Sequence, residues 1–251
     1  MNLISGHFAY SEVLAMIFIP VAIISFLTPF RKFRNFRPLA LSIITVAPFF
    51  IVWDHFAVIY GTWEFNRAMV LNLFVFKLPL EEILFFIVVP FSTIIIMEIL
   101  IPFSEKRFKI KYVYNIMILL SVIFIITGLF NLDKSYTSVV CFFASGSMII
   151  AVASKAKIVE RFTFWLYILI SYIPFIIFDH IMVTLPIFVY GRGAIVGIRI
   201  FSIPIEEYLY VFTMLFSYGF AYDFWRKKLK IKFYYPPKNS FIGRYITRNT
   251  K

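Results

Sequence analysis

The sequence predicts an all-α polytopic membrane protein: seven transmembrane helices, in two parallel three-helix repeats joined by a linker helix. Three observations predict this. The 251-residue chain is 61% hydrophobic and only 15% charged, with a mean hydropathy of +0.87, far to the apolar side of soluble domains. Its apolar runs are separated by segments that alternate between basic and nearly uncharged. Long stretches of the chain recur at an offset of 125 residues.

Runs long enough for the ~20 helical residues that cross a hydrocarbon core fall at 8–30, 38–59, 78–101, 112–130, 135–153, 162–182 and 203–225. No secretory leader is expected before the first of them, because "MNLISGHFAY" has no basic n-region. That run carries Glu12 and Pro20, and the basic segment "RKFRNFR" follows it. The second run contains Pro48 and ends in Trp53, Asp54 and His55. The third opens on "PLEE" and contains Pro90 and Glu98; the basic "EKRFKIK" comes after it. The fourth and fifth are joined by "NLDKS", and "KAKIVER" leads into the sixth, which carries Pro174, Asp179 and His180. The seventh opens on "PIEE". Prolines within spans are tolerable kinks where neighbouring groups satisfy the freed carbonyls. Basic segments collect on the cytoplasmic side, which places the N-terminus outside and the C-terminus inside, in the cytoplasmic (inner) membrane.

Nine of the 25 basic residues lie in the last 26 positions, with no acid among them. In a polytopic protein this tail is a topological signal, with anionic lipid headgroups as its natural contact, and nucleic acid is not an expected partner. Cys141 is the single cysteine and forms no internal disulfide. Without a GxGxxG, GxxxxGKS, CxxC or HExxH pattern, no nucleotide-binding or metal site is expected.

The repeat sets the architecture. "WDHFAVIYG" resembles "FDHIMVTLP", and the distances Asp54 to Asp179, His55 to His180 and Glu81 to Glu206 are all 125 residues. Arg67 with Arg192 and Glu98 with Asp223 keep the register. Residues 1–102 then form the first three-helix repeat, 103–133 the linker with the fourth helix, 134–226 the second repeat and 227–251 a basic cytoplasmic tail. A single joining helix returns the chain to its starting side, so the second unit enters in the orientation of the first.

Equivalent acids then share one depth. Asp54 and His55 fall in the last turns of an outward-running helix. Pro79 suits the first turn of the next, with Glu81 and Glu82 beside it, where the helix dipole favours a carboxylate. Asp179, His180, Glu206 and Glu207 repeat this layer. One PxEE alone reads as ordinary capping; two in register, each behind an Asp-His pair, read as a site, since charges within spans are costly. Trp53, Trp63, Trp165 and Trp225 fit interfacial belts, Glu12 and Glu98 fit interfacial or helix-pairing roles, and Tyr208 and Tyr210 are candidates to line the site.

These motifs resemble the small integral-membrane lycopene cyclases, not the flavin-dependent type. The resemblance covers roughly residues 5–225. One departure is that the family's second motif is often P-x-E-D, whereas Glu207 holds that position here. The resemblance implies a lycopene β-cyclase: non-redox conversion of the linear ends of lycopene, dissolved in the bilayer, into β-ionone rings, without cofactor. It also leaves room for association with other carotenoid enzymes. Protonating a terminal alkene needs a dry, strong acid, and a carboxyl kept neutral in an apolar site can serve. Glu81, Glu82, Glu206 and Glu207 are the expected acid/base set, with Asp54, His55, Asp179 and His180 as proton relay or tuning groups. Which glutamate donates, and whether there is one site or two, stays open. Hydration or ε-ring formation shares the first step. A proton-coupled transporter is the alternative from another class, and a retinal protein is excluded because 203–225 contains no lysine for a Schiff base.

Overall fold

Within a bilayer the backbone must bond to itself, and these apolar runs do so as helices. The computed structural model describes residues 6–27, 30–104 and 110–237. Seven helices lie within them: α1 (Ala9–Phe26), α2 (Phe36–Ile59), α3 (Leu80–Ser104), α4 (Val113–Phe130), α5 (Ser135–Ala153), α6 (Phe162–Thr184) and α7 (Ile205–Lys228). Residues 105–109 of the basic segment after α3 and 238–251 of the tail lie outside the described residues.

Six segments, containing α1 to α6, are long and apolar enough to cross a membrane, so the chain is a multi-pass membrane protein. The α7 helix is as long but more polar. It carries Glu206, Glu207 and Asp223, all three buried, and presents much of its surface to the other helices.

The all-α expectation needs one correction. Six short strands are present: β1 (Trp63–Phe65), β2 (Phe74–Val75), β4 (Phe188–Tyr190) and β5 (Arg199–Ile200) in segments read from sequence as loops, and β3 (Leu78–Pro79) and β6 (Ile203–Pro204) at the first two positions of runs read as spans. Two- and three-residue strands are too short for a periodic signal. The hairpins β2–β3 and β5–β6 each lead into a PxEE helix. The antiparallel pair β1–β4 joins the halves, with Trp63 opposite Tyr190, Glu64 opposite Val189 and Phe65 opposite Phe188. Asn66 N–H donates to Ile187 O (2.8 Å) and Gly191 N–H to Thr62 O (2.9 Å), which continues the ladder at both ends. Each of these two bonds is the other's counterpart at the 125-residue offset. The ladder is therefore self-complementary, as across a local two-fold axis.

Both central helices are the ones that open on paired glutamates. The α3 helix packs on α1, α2, α6 and α7, and α7 packs on α2, α5 and α6; α4 lies along α5. At the end remote from the strands, Glu98 accepts a hydrogen bond from Tyr222 and one of 3.3 Å from Asn35. Asp223 accepts a hydrogen bond from Arg226 (2.7 Å) and forms an ion pair with Lys227 (2.5 Å) at that same end. Glu98 thus pairs α3 with α7.

Candidate active site

Each hairpin sets the start of its helix. Leu80 N–H donates to Leu73 O (2.7 Å), and Ile205 N–H, 125 residues on, donates to Ile198 O (3.0 Å). Pro79 and Pro204 end the strands, and the helices begin at Leu80 and Ile205, two residues into the runs expected from sequence. A proline lacks the N–H a ladder uses but tolerates extended backbone at an edge. At both hairpin tips a phenylalanine takes positive φ, Phe76 at 58° and Phe201 at 50°.

Adjacent residues on a helix point about 100° apart, and here this divides the glutamates into two roles. Glu81 turns toward the loop, accepting from Leu71 N–H (2.7 Å) and Ser11 Oγ (3.2 Å). Glu206 does the same with Val196 N–H (2.7 Å) and Thr137 Oγ1 (2.6 Å). Neither lines the cavity described below. Such charge-assisted bonds hold the connecting segments to the helix starts. Glu206→Ala would strand both donors and is expected to cost roughly 1–3 kcal/mol, whereas Glu206→Gln keeps an acceptor oxygen and should cost less. Thermal unfolding of the detergent-solubilised variants checks this ranking.

Glu82 and Glu207 turn inward and meet Asp54 and Asp179 at the head of a cavity of about 320 Å³. All four are buried. Glu82 accepts from Tyr10 Oη (2.6 Å) and Glu207 from Tyr190 Oη (2.6 Å), while Asp54 accepts from Tyr210 Oη (3.1 Å). Tyr136 is a second buried phenol near Glu207 and lines the cavity with it. The Asp54 and Glu82 carboxyls are electrostatic neighbours at this end of the cavity. Asp54 Oδ2 and Asp179 Oδ2 are buried and receive no hydrogen bond from a donor among the described residues. Burial, and next the negative charge of Glu207, push the Tyr190 phenol well above its ordinary value, so it remains a protonated donor.

Above the carboxyls, Trp63 and Phe65 of β1 and Phe188 of β4 form a roof that separates them from the strand end of the molecule. Trp63 is thus an interior residue packed on Tyr136 (ring centroids 5.2 Å), not the belt residue expected from its place near a span end. Below the carboxyls the walls, from α1, α3, α6 and α7, are mostly apolar, with the hydroxyls of Ser92, Thr93 and Ser171 among them. The lining of α3 runs from Glu82 to Ile96, 14 residues, or roughly 21 Å at 1.5 Å per residue.

The imidazoles lie elsewhere. His180 Nδ1–H donates to Phe201 O (3.0 Å), and His55 packs on Phe76, its ring centroid 5.4 Å away. Neither ring lines the cavity, since each follows its aspartate by one residue on the helix. Tyr208 Oη donates to Ile200 O (3.0 Å) at the hairpin; Tyr210 is the tyrosine of that pair which reaches the site. Sequence reasoning missed Tyr10, Tyr136 and Tyr190. The signal for the first two exists: "AYSE" (9–12) matches "SYTS" (135–138), but at an offset of 126.

A family model described as Lycopene cyclase matches residues 7–100 and 133–225. The two segments hold α1–α3 and α5–α7, with α4 between them. No curated protein and no solved structure matches the chain.

Proposed function

Because the chain belongs to the lycopene cyclase family, we propose that it is the β-type enzyme, closing the linear ends of bilayer-dissolved lycopene into β-ionone rings through the carboxyls of Asp54, Glu82, Asp179 and Glu207. The single observation that carries this reading is the cavity: a buried cluster of four carboxyls and their phenol donors at the head of an elongated, mostly apolar channel.

Asp54 and Glu82 are buried carboxyls at the same end of the cavity, and in this reading the two together hold and deliver one proton. That proton goes to the terminal C1=C2 alkene and leaves a tertiary cation. The C5=C6 double bond attacks it, the ring closes, and loss of the C6 proton to a carboxylate restores neutrality. In this reading Glu207, held by the Tyr190 phenol, and Asp179 take part in that second step. One proton enters and one leaves, so the reaction is an isomerisation and consumes no reductant. Trp63, Tyr136 and Tyr210 offer aromatic faces to the cation at about 0.5–2 kcal/mol each, and the roof keeps out the water that would quench it to an alcohol. Glu81 and Glu206 act as positioning residues.

The same reading takes all seven helices as spans, with α7 the most polar because it carries half of the site. It takes residues 1–102 and 134–226 as parallel repeats joined by 103–133, the N-terminus outside and the C-terminus inside. The pairwise hydrogen bonds of Glu81 and Glu206, and the self-complementary β1–β4 ladder, support that arrangement. Basic residues at the end remote from the strands support the orientation.

Expression in lycopene-accumulating cells followed by pigment chromatography tests the activity. β-Ringed products are expected, first monocyclic and then bicyclic. An ε-ringed product, a hydroxylated product or unchanged lycopene would overturn the β-cyclase assignment.

A further inference from the structure

The two halves offer two equivalent clefts to the lipid, and the structure treats them differently. Between α1 and α6 the cleft is open. Ile17, Pro174, Phe175 and Phe178 line the cavity there, joined by Met16, which is 48% exposed on the outer face of the bundle. The equivalent cleft lies between α5 and α2. At the offset of 125, Pro174, Phe175 and Phe178 correspond to Phe49, Phe50 and Trp53. At the offset of 126 that relates Tyr10 to Tyr136, Ile17 corresponds to Phe143.

Those four aromatic residues close on one another. The Phe143 ring centroid lies 4.6 Å from Phe49, 6.4 Å from Phe50 and 5.5 Å from Trp53. None of the four lines the cavity. Side-chain size contributes to the difference: the phenylalanine at 143 packs on Phe49 and Trp53 across its cleft, whereas the isoleucine at 17 lines the cavity. The fourth helix, which lies along α5, braces the closed side.

We propose that the substrate's linear apolar chain reaches the carboxyls only through the cleft between α1 and α6, the equivalent cleft between α2 and α5 being plugged by Phe49, Phe50, Trp53 and Phe143. This rests on the polyene-cyclising reading above, and it resolves the duplication into one working site with one portal. Both ends of a symmetric substrate must then use the same opening in turn, so the monocyclic product has to withdraw and reverse before its second end can react.

The repeat itself supplies the test. Ile17→Phe and Pro174→Phe copy plug residues into the open cleft, and Phe143→Ile copies the open cleft into the plug. In proteoliposomes loaded with lycopene, Ile17→Phe and Pro174→Phe are expected to lower the cyclisation rate at least tenfold, and Phe143→Ile to stay within twofold of the parent chain. Thermal unfolding in detergent verifies that each variant is folded. A second readout does not depend on turnover. Glu82→Gln protein purified from lycopene-accumulating cells should retain lycopene, measured by its visible absorbance; adding Ile17→Phe should remove it and adding Phe143→Ile should not. Folded Ile17→Phe and Pro174→Phe proteins that cyclise at the parent rate, or retention of lycopene unchanged by Ile17→Phe, would overturn the single portal. Lycopene retained by the Glu82→Gln protein and lost with Ile17→Phe, while the parent forms no ring, would uphold the portal and overturn only the reaction.

Discussion

Replacing Glu82 by Gln is expected to lower ring formation by about 10²–10⁴-fold, the usual contribution of a positioned acid or base, while the protein accumulates and unfolds much as the parent does. The amide nearly matches the carboxyl in size and still accepts the 2.6 Å hydrogen bond from Tyr10, so packing is little disturbed. It cannot deliver a proton to an alkene. Asp54→Asn should be of the same order, because both carboxyls line the head of the cavity and the proposed mechanism uses them as one proton-delivering pair. Glu207→Gln should also fall in this range, since it removes a carboxylate needed for the closing deprotonation. Glu81→Gln is the internal comparison: the neighbouring glutamate, turned to the loop, should keep most of the activity. The measurement is the initial rate of cyclised pigment formation per folded protein in proteoliposomes. Activity within tenfold of the parent in both Glu82→Gln and Asp54→Asn would remove this pair from proton delivery.

Gly191→Ala is expected to cost about 3 kcal/mol or more, among the larger effects of a single methyl group. A β-carbon built at this position overlaps the carbonyl oxygen of Gly61 and lies 3.1 Å from its carbonyl carbon. Both obstacles are backbone, so no rotamer change relieves them. Gly191 N–H also donates to Thr62 O in the ladder that carries the cavity roof, so separating the strands to admit the methyl group would expose the carboxyls beneath. Loss of stability and loss of ring formation should therefore come together. Gly146→Ala in α5 is the control: nothing lies within 4 Å of its added carbon, and alanine in a helix should change stability by no more than about 1 kcal/mol. Thermal unfolding in detergent compares the two, and a Gly191→Ala protein as stable as the parent would show that the crossing yields easily.

Much of the site was legible because it is written twice. The PxEE motifs and the Asp-His pairs keep one spacing, and a duplicated acid in an apolar span is expensive enough to signal a site. The phenols that complete it were hidden for a specific reason. Tyr10 and Tyr136 lie one residue out of the 125 register, and Tyr190 sits in a strand too short to announce itself. Burial of Trp63 was hidden because its distance from a span end says nothing of which way a loop folds.

The sequence by itself determined that the chain is membrane-embedded, that it contains the same unit twice, and that carboxyls open the two corresponding helices. These follow from composition, length and spacing, which survive without knowledge of neighbours. Only the tertiary structure decided that Glu82 and Glu207 face the cavity while Glu81 and Glu206 hold loops. It also decided that β1 pairs with its own copy to roof the site, and that one of two equivalent clefts is open. Helical geometry dictates that adjacent glutamates diverge by about 100°. It does not dictate where the partner helices stand, and that is set by long-range packing, down to an isoleucine at 17 against a phenylalanine at 143.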